Sequence, residues 1–470
     1  MFFKQFFLAC LAHASYMIGS EGEACVVDPQ RDVDQYLETA EKEGLKIKYI
    51  IETHVHADFV GGHRELAEKT GAEIVFSKRA EASFAHRAVD DGDSIEFGKV
   101  KLDILATPGH TPESICVLVT DKEQSDKPAM VLTGDTLFIG DVGRPDLVSA
   151  KGFSSEEMAG LLYDSLRQKL LKLDDQVLVY PAHGAGSLCG KNMSTERFST
   201  IGQQRQFNYA LKEMSKDDFI AMMCTDLPEV PAYFPIAVAK NREGAQSLDR
   251  LSQPKPMNPQ EVHEAMNKGH LVVDTRTNTL YGGAHVPGSI NIGLGGQFAS
   301  WAGALIPIGT PLILIVEEKE QIDEAITRLA RAGHESVVGY LEGGIYAWIK
   351  SGHDTGETPQ ITIDQLKEKM AEVKDLQVID VRRKGEYEAG HVPGAINIPL
   401  ADLKRNLDKV DKRRPTAIIC ASGYRSSIST HILKSGGVAY LYNTVGGTNA
   451  WRTAGYEVVV EENAPSCSKA

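Results

Sequence analysis

No stretch of about 20 apolar residues occurs anywhere in the 470-residue chain, so nothing in it reads as a membrane-spanning helix. Paired CxxC spacing is also absent. The seven cysteines, Cys10, Cys25, Cys116, Cys189, Cys224, Cys420 and Cys467, are scattered and odd in number, which suits a reducing cytoplasm and argues against a disulfide framework. Basic charge is in deficit: 50 Lys and Arg face 64 Asp and Glu, and a net charge of −14 argues against sequence-independent nucleic-acid binding. The opening MFFKQFFLACLAHASYMIG, with Lys4 and an apolar run, imitates a signal peptide. Because ASYMIG continues directly into EACVVDP, it is read instead as an opening strand and hairpin.

At roughly 150 residues per domain the chain should divide into about three. Residues 1–245 alternate β-rich runs (ACVVD, IKYII, EIVFS, VKLDILAT, AMVLTGD, QVLVYPAH) with amphipathic helical stretches, the pattern of two sheets with helices outside. Residues 246–257, QSLDRLSQPKPM, are polar, carry two prolines and lack periodicity, and read as a linker. Beyond it the sequence repeats. VVDTRTNTLYGGAHVPGSINI from Val272 matches VIDVRRKGEYEAGHVPGAINI from Val378, and GGIYAW ending at Trp348 matches GGTNAW ending at Trp451. The two copies read as similar α/β domains with parallel sheets, over 258–354 and 355–465, and the tail ENAPSCSKA should be frayed.

The chemistry-bearing residues stand at strand ends. THVHADFVGGH, Thr53 to His63, follows the apolar IKYII and precedes a helical RELAEKTG, and its His54, His56 and Asp58 alternate along an extended loop. His110 in TPGHT, Asp135 in TGDTLF and His183 in YPAHG each stand where a strand gives way to a turn. This set resembles the metallo-β-lactamase superfamily, which implies an N-terminal αββα sandwich with a metal site. Dinuclear zinc hydrolases of that superfamily carry a further histidine directly after the motif aspartate. Here that position is Phe59, which cannot coordinate a cation. His63 is read as a capping or surface residue.

What remains resembles the persulfide dioxygenases, the branch using one Fe(II) per chain. The resemblance implies His54, His110 and Asp135 as iron ligands, a 2-His-1-carboxylate face with open positions for sulfur and O₂. It leaves His56, Asp58 and His183 as supporting residues or as remnants of a second metal site. GRPDL, Gly143 to Leu147, also matches that branch; Arg144 stands either to hold an anionic substrate group or to pair with Asp146. Cys189, in AGSLCGKN just after His183, is a candidate to accept or relay sulfur.

In the last domain PTAIIC ends at Cys420 and runs through ASGYRSS into a helical stretch. A thiol at a tight turn before a helix meets several backbone N–H groups, and Arg425 adds positive charge. With Asp380, Arg382 and GHVPGA at His391, this resembles a rhodanese, which implies that Cys420 carries sulfane sulfur. The Cys-x4-Arg spacing favours sulfur over the phosphate handled by longer loops. In the middle copy Val316 stands opposite Cys420 and Gln321 opposite Arg425, with Glu317, Glu318 and Glu320 in the loop, so that copy is read as inactive.

Together these resemblances imply a cytoplasmic persulfide dioxygenase and sulfurtransferase. Its expected partners are a low-molecular-weight thiol persulfide (glutathione, coenzyme A or similar), O₂ and sulfite, with no nucleic acid and no membrane; a homo-oligomer is left open. The alternatives are a zinc-dependent thioester hydrolase of the hydroxyacylglutathione hydrolase kind and a non-catalytic sulfur carrier or sensor.

Overall fold

The computed structural model describes residues 1–147, 152–187, 189–190, 193–225, 227 and 230–461. The expected fraying of ENAPSCSKA and the position of Cys467 lie outside them. The chain forms two compact units, residues 1–251 with 327–333, and residues 252–326 with 334–470.

The first unit is built on two six-stranded sheets. In one, Phe2–Leu8, His13–Ser20, Glu23–Val27, Lys46–Ile51, Glu73–Ser77 and Arg87–Val89 lie side by side in chain order, antiparallel at first and parallel from Glu23–Val27 onward. In the other, Ser94–Phe97, Val100–Ala106, Ile115–Asp121, Met130–Gly134, Leu178–Pro181 and Ser199–Thr200 also lie in chain order, antiparallel except for the parallel pair Met130–Gly134 and Leu178–Pro181. Alternation along each strand sorts the side chains. Tyr16, Ile18, Val27 and Ile51 meet Leu102, Ile104, Val117 and Leu132 between the sheets. Their neighbours Met17, Val26 and Ile50 point outward to Tyr36 and Leu66 of the helices Asp34–Lys42 and His63–Thr70. On the far side Leu118, Val131 and Val179 pack on Leu162 and Leu166 of Ser155–Gln168 and Phe219 of Lys216–Met223. The result is the expected αββα sandwich. Among the described residues no helix is long and apolar enough to cross a membrane.

The second unit holds two five-stranded, wholly parallel sheets with the same strand order. The middle one runs Lys255–Met257, Val337–Leu341, Leu312–Ile315, Leu271–Asp274, Ile290–Asn291; the last runs Gln360–Ile361, Leu441–Thr444, Thr416–Ile419, Gln377–Asp380, Ile396–Asn397. The segment read as a linker therefore ends in a strand: Lys255–Met257 borders the middle sheet, where an edge position tolerates Pro256. The repeat is exact in its supporting bonds. Arg276 clasps Asp274, and Arg382 clasps Asp380, each through Nε and Nη2. Trp348 and Trp451 each donate their indole N–H to a backbone carbonyl, Asp354 O and Glu457 O.

Candidate metal centre and thiol loop

The loop Thr53–Gly62 leaves the C-terminal end of a parallel strand, where its own backbone has no ladder to satisfy it, so neighbouring side chains do. Asp28 ends the adjacent strand in a left-handed conformation (φ 52°), an uncommon one for a residue with a Cβ. Its carboxylate accepts the Thr53 N–H at 2.7 Å and the Thr53 hydroxyl at 2.8 Å. A hydroxyl has one hydrogen. With that hydrogen on Asp28, the Thr53 oxygen accepts from His54 Nδ1–H at 3.0 Å, and the lone pair of His54 is left on Nε2. Gly134 permits this approach, for a Cβ there would lie 2.6 Å from Thr53 Oγ1.

His54, His110 and Asp135 converge, each buried, with one donor atom apiece within 4.8 Å of the others. Asp135 Oδ2 lies 3.8 Å from His54 Nε2 and 3.4 Å from His110 Nε2. His110 donates Nδ1–H to Arg144 O at 2.9 Å, so its Nε2 also presents a lone pair to the centre. Gly143 makes room for that contact, since a Cβ there would meet Asp135 O at 2.0 Å and His110 Nδ1 at 2.9 Å. His54 Nε2 and Asp135 Oδ2 are buried without a hydrogen-bond partner. Two imidazole lone pairs and a carboxylate oxygen with unmet bonding capacity fit a first-row divalent cation. Electrostatics agree. Burial holds His54 and His110 below the usual imidazole range, which keeps both neutral and able to coordinate. Burial alone would raise Asp135, but His183, His54 and His110 outweigh it and hold the carboxyl well below its usual range.

The supporting residues do not all behave as expected. His183 spans two carboxylates, Nδ1 to Asp135 Oδ1 at 2.8 Å and Nε2 to Asp58 Oδ2 at 2.9 Å. These partners override the effect of burial and push its pKa well up. His56, by contrast, turns away from Asp58: its Nε2 lies 3.2 Å from Asp28 Oδ1 and 3.5 Å from Glu52 Oε2. His63 is not a surface residue. It is buried, 3.2 Å from Glu52 Oε1, because the helix it opens packs directly under the loop. The loop's candidates thus split into three groups, His54 with His110 and Asp135, Asp58 with His183 and Cys189, and His56 with Asp28 and Glu52. Phe59 is wholly buried with His13 and His56 around it, at ring distances of 4.2 and 4.5 Å.

Arg144 pairs with Asp146, Nε and Nη2 bonding its carboxylate at 2.7 and 2.6 Å, and its N–H donates to Cys189 O. The thiol of Cys189 is close to Asp58 and His183, but burial and the carboxylates of Asp58 and Asp135 push it well above the usual range, so it rests as a neutral thiol. Three site residues escaped sequence reasoning. His13, wholly buried, has both ring nitrogens without a partner and lies 5.2 Å ring to ring from His183, with which its backbone bridges. Asn241 donates to His56 O and Phe59 O at 2.8 Å and accepts from Gly61 N–H; Tyr233 donates to Asp58 O at 3.0 Å. Nothing local marks Asn241, about 180 residues from the loop it holds.

In the last domain Cys420 follows the strand Thr416–Ile419 and precedes the helix Tyr424–Ser435. Its Sγ accepts from Gly423 N–H at 3.1 Å and faces Ser426 Oγ at 3.4 Å. Gly423 holds φ 104°, a conformation that turns the chain into the helix and that glycine adopts without strain. Arg425 carries its positive charge beside a carboxylate. It binds Glu386 through two 2.7 Å hydrogen bonds, which bring the carboxyl below its usual range despite burial. The middle copy shows how the loop is retired. Gln321 Oε1 accepts the N–H of both Glu317 and Glu318 at 3.1 Å, so a side chain consumes the donors that a sulfur anion would need.

Comparison with known proteins follows the same division. Residues 8–183 match the metallo-beta-lactamase superfamily, and residues 258–351 and 362–454 each match the rhodanese-like domain. The persulfide dioxygenase ETHE1 of Mus musculus is 33% identical over 245 residues, 50% of this chain and 85% of that one; the Homo sapiens protein is 31% identical over 256 residues, 52% and 89%. A hydroxyacylglutathione hydrolase of Polaromonas sp. is 29% identical over 238 residues, 45% of this chain and 84% of that one. Among solved structures, a Staphylococcus aureus metallo-beta-lactamase is 34% identical with a TM-score of 0.65, covering 72% of this chain and 98% of that one.

Proposed function

The chain belongs to the metallo-β-lactamase superfamily, of the ETHE1 persulfide dioxygenase type extended by two rhodanese-like domains, and on that premise we propose that it oxidises a low-molecular-weight thiol persulfide and transfers sulfane sulfur. His54, His110 and Asp135 would hold a single Fe(II), which when bound would supply open positions for a substrate sulfur and O₂. The chain's own residues set that up. Asp28 and Thr53 fix His54, Arg144 O fixes His110, and His183 fixes Asp135 by occupying its second oxygen. Persulfide, O₂ and water give thiol, hydrogen sulfite and a proton, and the proton is released beside the His183–Asp58 pair. A persulfide on Cys420 then yields its outer sulfur to sulfite: a new S–S bond forms in thiosulfate and the Cys420 S–S bond breaks, its electron pair staying on Sγ. Gly423 N–H and Ser426 Oγ face Cys420 Sγ, where they would stabilise the returning thiolate. Fusion in one chain raises the local concentration of the shared intermediate, and the six described cysteines, all unpaired, suit a reducing cytoplasm.

The observation that carries this reading is the convergence of His54, His110 and Asp135 on one buried donor face, with the non-coordinating Phe59 buried directly after Asp58. It is tested with anaerobically purified protein by elemental analysis and by oxygen uptake on glutathione persulfide and coenzyme A persulfide. About one iron per chain and sulfite matching the oxygen consumed are expected. Zinc-loaded protein that cleaves thioesters and consumes no oxygen would overturn the reading in favour of the hydrolase.

A further inference from the structure

The middle domain has lost its cysteine, yet it keeps the Asp274–Arg276 clasp and the Asn291 that bridges it, with Asn291 Nδ2 donating to Asp274 O and Arg276 O. The last domain uses Asn397 in the same way on Asp380 and Arg382. In the middle domain the free end of that asparagine has further work: Oδ1 accepts from Ser427 Oγ–H at 2.6 Å. Ser427 lies on the helix Tyr424–Ser435, whose N-terminal turn carries the Cys420 loop, and the same helix offers His431 Nδ1 to Ser289 O at 3.2 Å.

The contacts tighten toward the sulfur. Tyr424 Oη–H donates to Gly293 O at 2.8 Å. Its ring lies against Gly296 so closely that a Cβ there would stand 2.5 Å from Tyr424 Cζ and 2.6 Å from Cε2. A Cβ on Gly423 would come within 3.1 Å of Asn278 Nδ2. Tyr424 is bonded directly to Gly423, whose N–H holds Cys420 Sγ. We infer that the middle domain is a positioning element of the sulfur-transfer site: its Asn291–Gly296 segment, through Tyr424 and Ser427, holds the Gly423 N–H on Cys420 sulfur. The inference rests on the reading of Cys420 as the sulfur carrier. It assigns the inactive copy a role that needs Asn291, a bare Gly296 and the Gly293 carbonyl, and needs no thiol of its own.

Gly296 is outside the left-handed region, so Gly296→Ala adds a methyl without backbone strain and acts only by displacing the Tyr424 ring. Tyr424→Phe removes the bond to Gly293 without crowding anything. The full chain, each variant, their combination and Cys420→Ser are compared in thiosulfate-to-cyanide sulfur transfer, in Cys420 alkylation by iodoacetamide across pH, and in thermal unfolding. Loss of a hydrogen bond to the sulfur is expected to slow transfer about tenfold in Gly296→Ala and severalfold in Tyr424→Phe. The alkylation profile should move with it, and the combination should be no worse than Gly296→Ala alone, because both act through one contact. A wild-type transfer rate and alkylation profile in both variants, with or without a lowered melting temperature, would overturn the inference. Transfer that survives Cys420→Ser would instead overturn the reading of Cys420 on which it rests.

Discussion

Thr53→Val removes one hydroxyl from the wall of the metal centre and keeps the shape of the side chain. Among the described residues the hydroxyl is the one link between Asp28 Oδ2, 2.8 Å away, and His54 Nδ1, 3.0 Å away. Without it nothing fixes the His54 tautomer, and about half or more of the free imidazole can place its proton on Nε2, the atom that must coordinate. Losing the partner of a metal-bound histidine weakens binding by about 10- to 100-fold, which is about 1.4 to 2.8 kcal/mol. Asp28 Oδ2 is also stranded in a buried site, at a cost of about 1 to 3 kcal/mol to the fold. Thr53→Ser restores the hydroxyl and should recover most of both terms. The assay is competition between the protein and a chromophoric chelator for Fe(II) under anaerobic conditions, with denaturant unfolding of the metal-free protein alongside. If Thr53→Val binds iron within about threefold of the parent, or if Thr53→Ser is as weak as Thr53→Val, the relay from Asp28 through Thr53 to His54 does not set the tautomer.

Phe59→His should restore a ligand beside Asp58 and His183, so that bound metal measured by elemental analysis rises from one toward two per chain at saturating zinc; a value staying at one would show that Phe59 is not what limits the second site. Burial holds neutral His285 down to about 4 against an ordinary 6.5. The fold therefore excludes the proton that the unfolded chain accepts, and stability present above pH 6.5 should fall by about 2 kcal/mol by pH 5, with the slope reduced in His285→Gln under urea unfolding. Glu386→Gln removes the carboxylate that neutralises Arg425, and should speed alkylation of Cys420 at fixed pH; a slower reaction would mean that Glu386 serves to hold Arg425 in place more than to offset its charge.

The αββα sandwich was legible because strand alternation and helix periodicity are local properties. The four residues His54, His110, Asp135 and His183 could be grouped from the sequence because each follows the end of a strand, His54 in the first sheet and the other three in the second, and the structure brings those strand ends together. The division among the site's candidates was not legible. Whether His56 turns to Asp58 or to Asp28 depends on a carboxylate 28 residues earlier held in a left-handed conformation, and no periodicity encodes that. His63 read as a surface cap because it opens a polar helix, and only the packing of that helix against Glu52 buries it. Arg144 and Arg425 share one lesson. Each was read from the sequence as a positive charge, and each is matched in the fold by a carboxylate, Asp146 or Glu386, because a guanidinium withdrawn from water needs one. A sequence shows the charge and leaves its partner to the fold.

The repeat makes the same point from the other side. Judged by chemistry alone, the middle copy is a failed site: Val316 replaces the thiol, and Gln321 turns inward to satisfy the N–H groups of Glu317 and Glu318. Both residues are exposed and water would otherwise meet their amides, so the Gln321 bonds order the loop at a gain of about 0.5 to 1.5 kcal/mol each at most. Gln321 at the position of Arg425 is thus more than the absence of a cation; it stabilises a loop that no longer has an anion to hold. A domain kept only as a spacer would need that repair and little else. This one also keeps Asn291 oriented by the Asp274 and Arg276 carbonyls, leaves Gly296 without a side chain under the Tyr424 ring, and presents Gly293 O to the tyrosine hydroxyl. The residues that lost chemistry follow the central strand Leu312–Ile315, and those that contact the neighbour lie on and after the edge strand Ile290–Asn291, so the copy can be inactive in its own loop and still shape the loop of its neighbour.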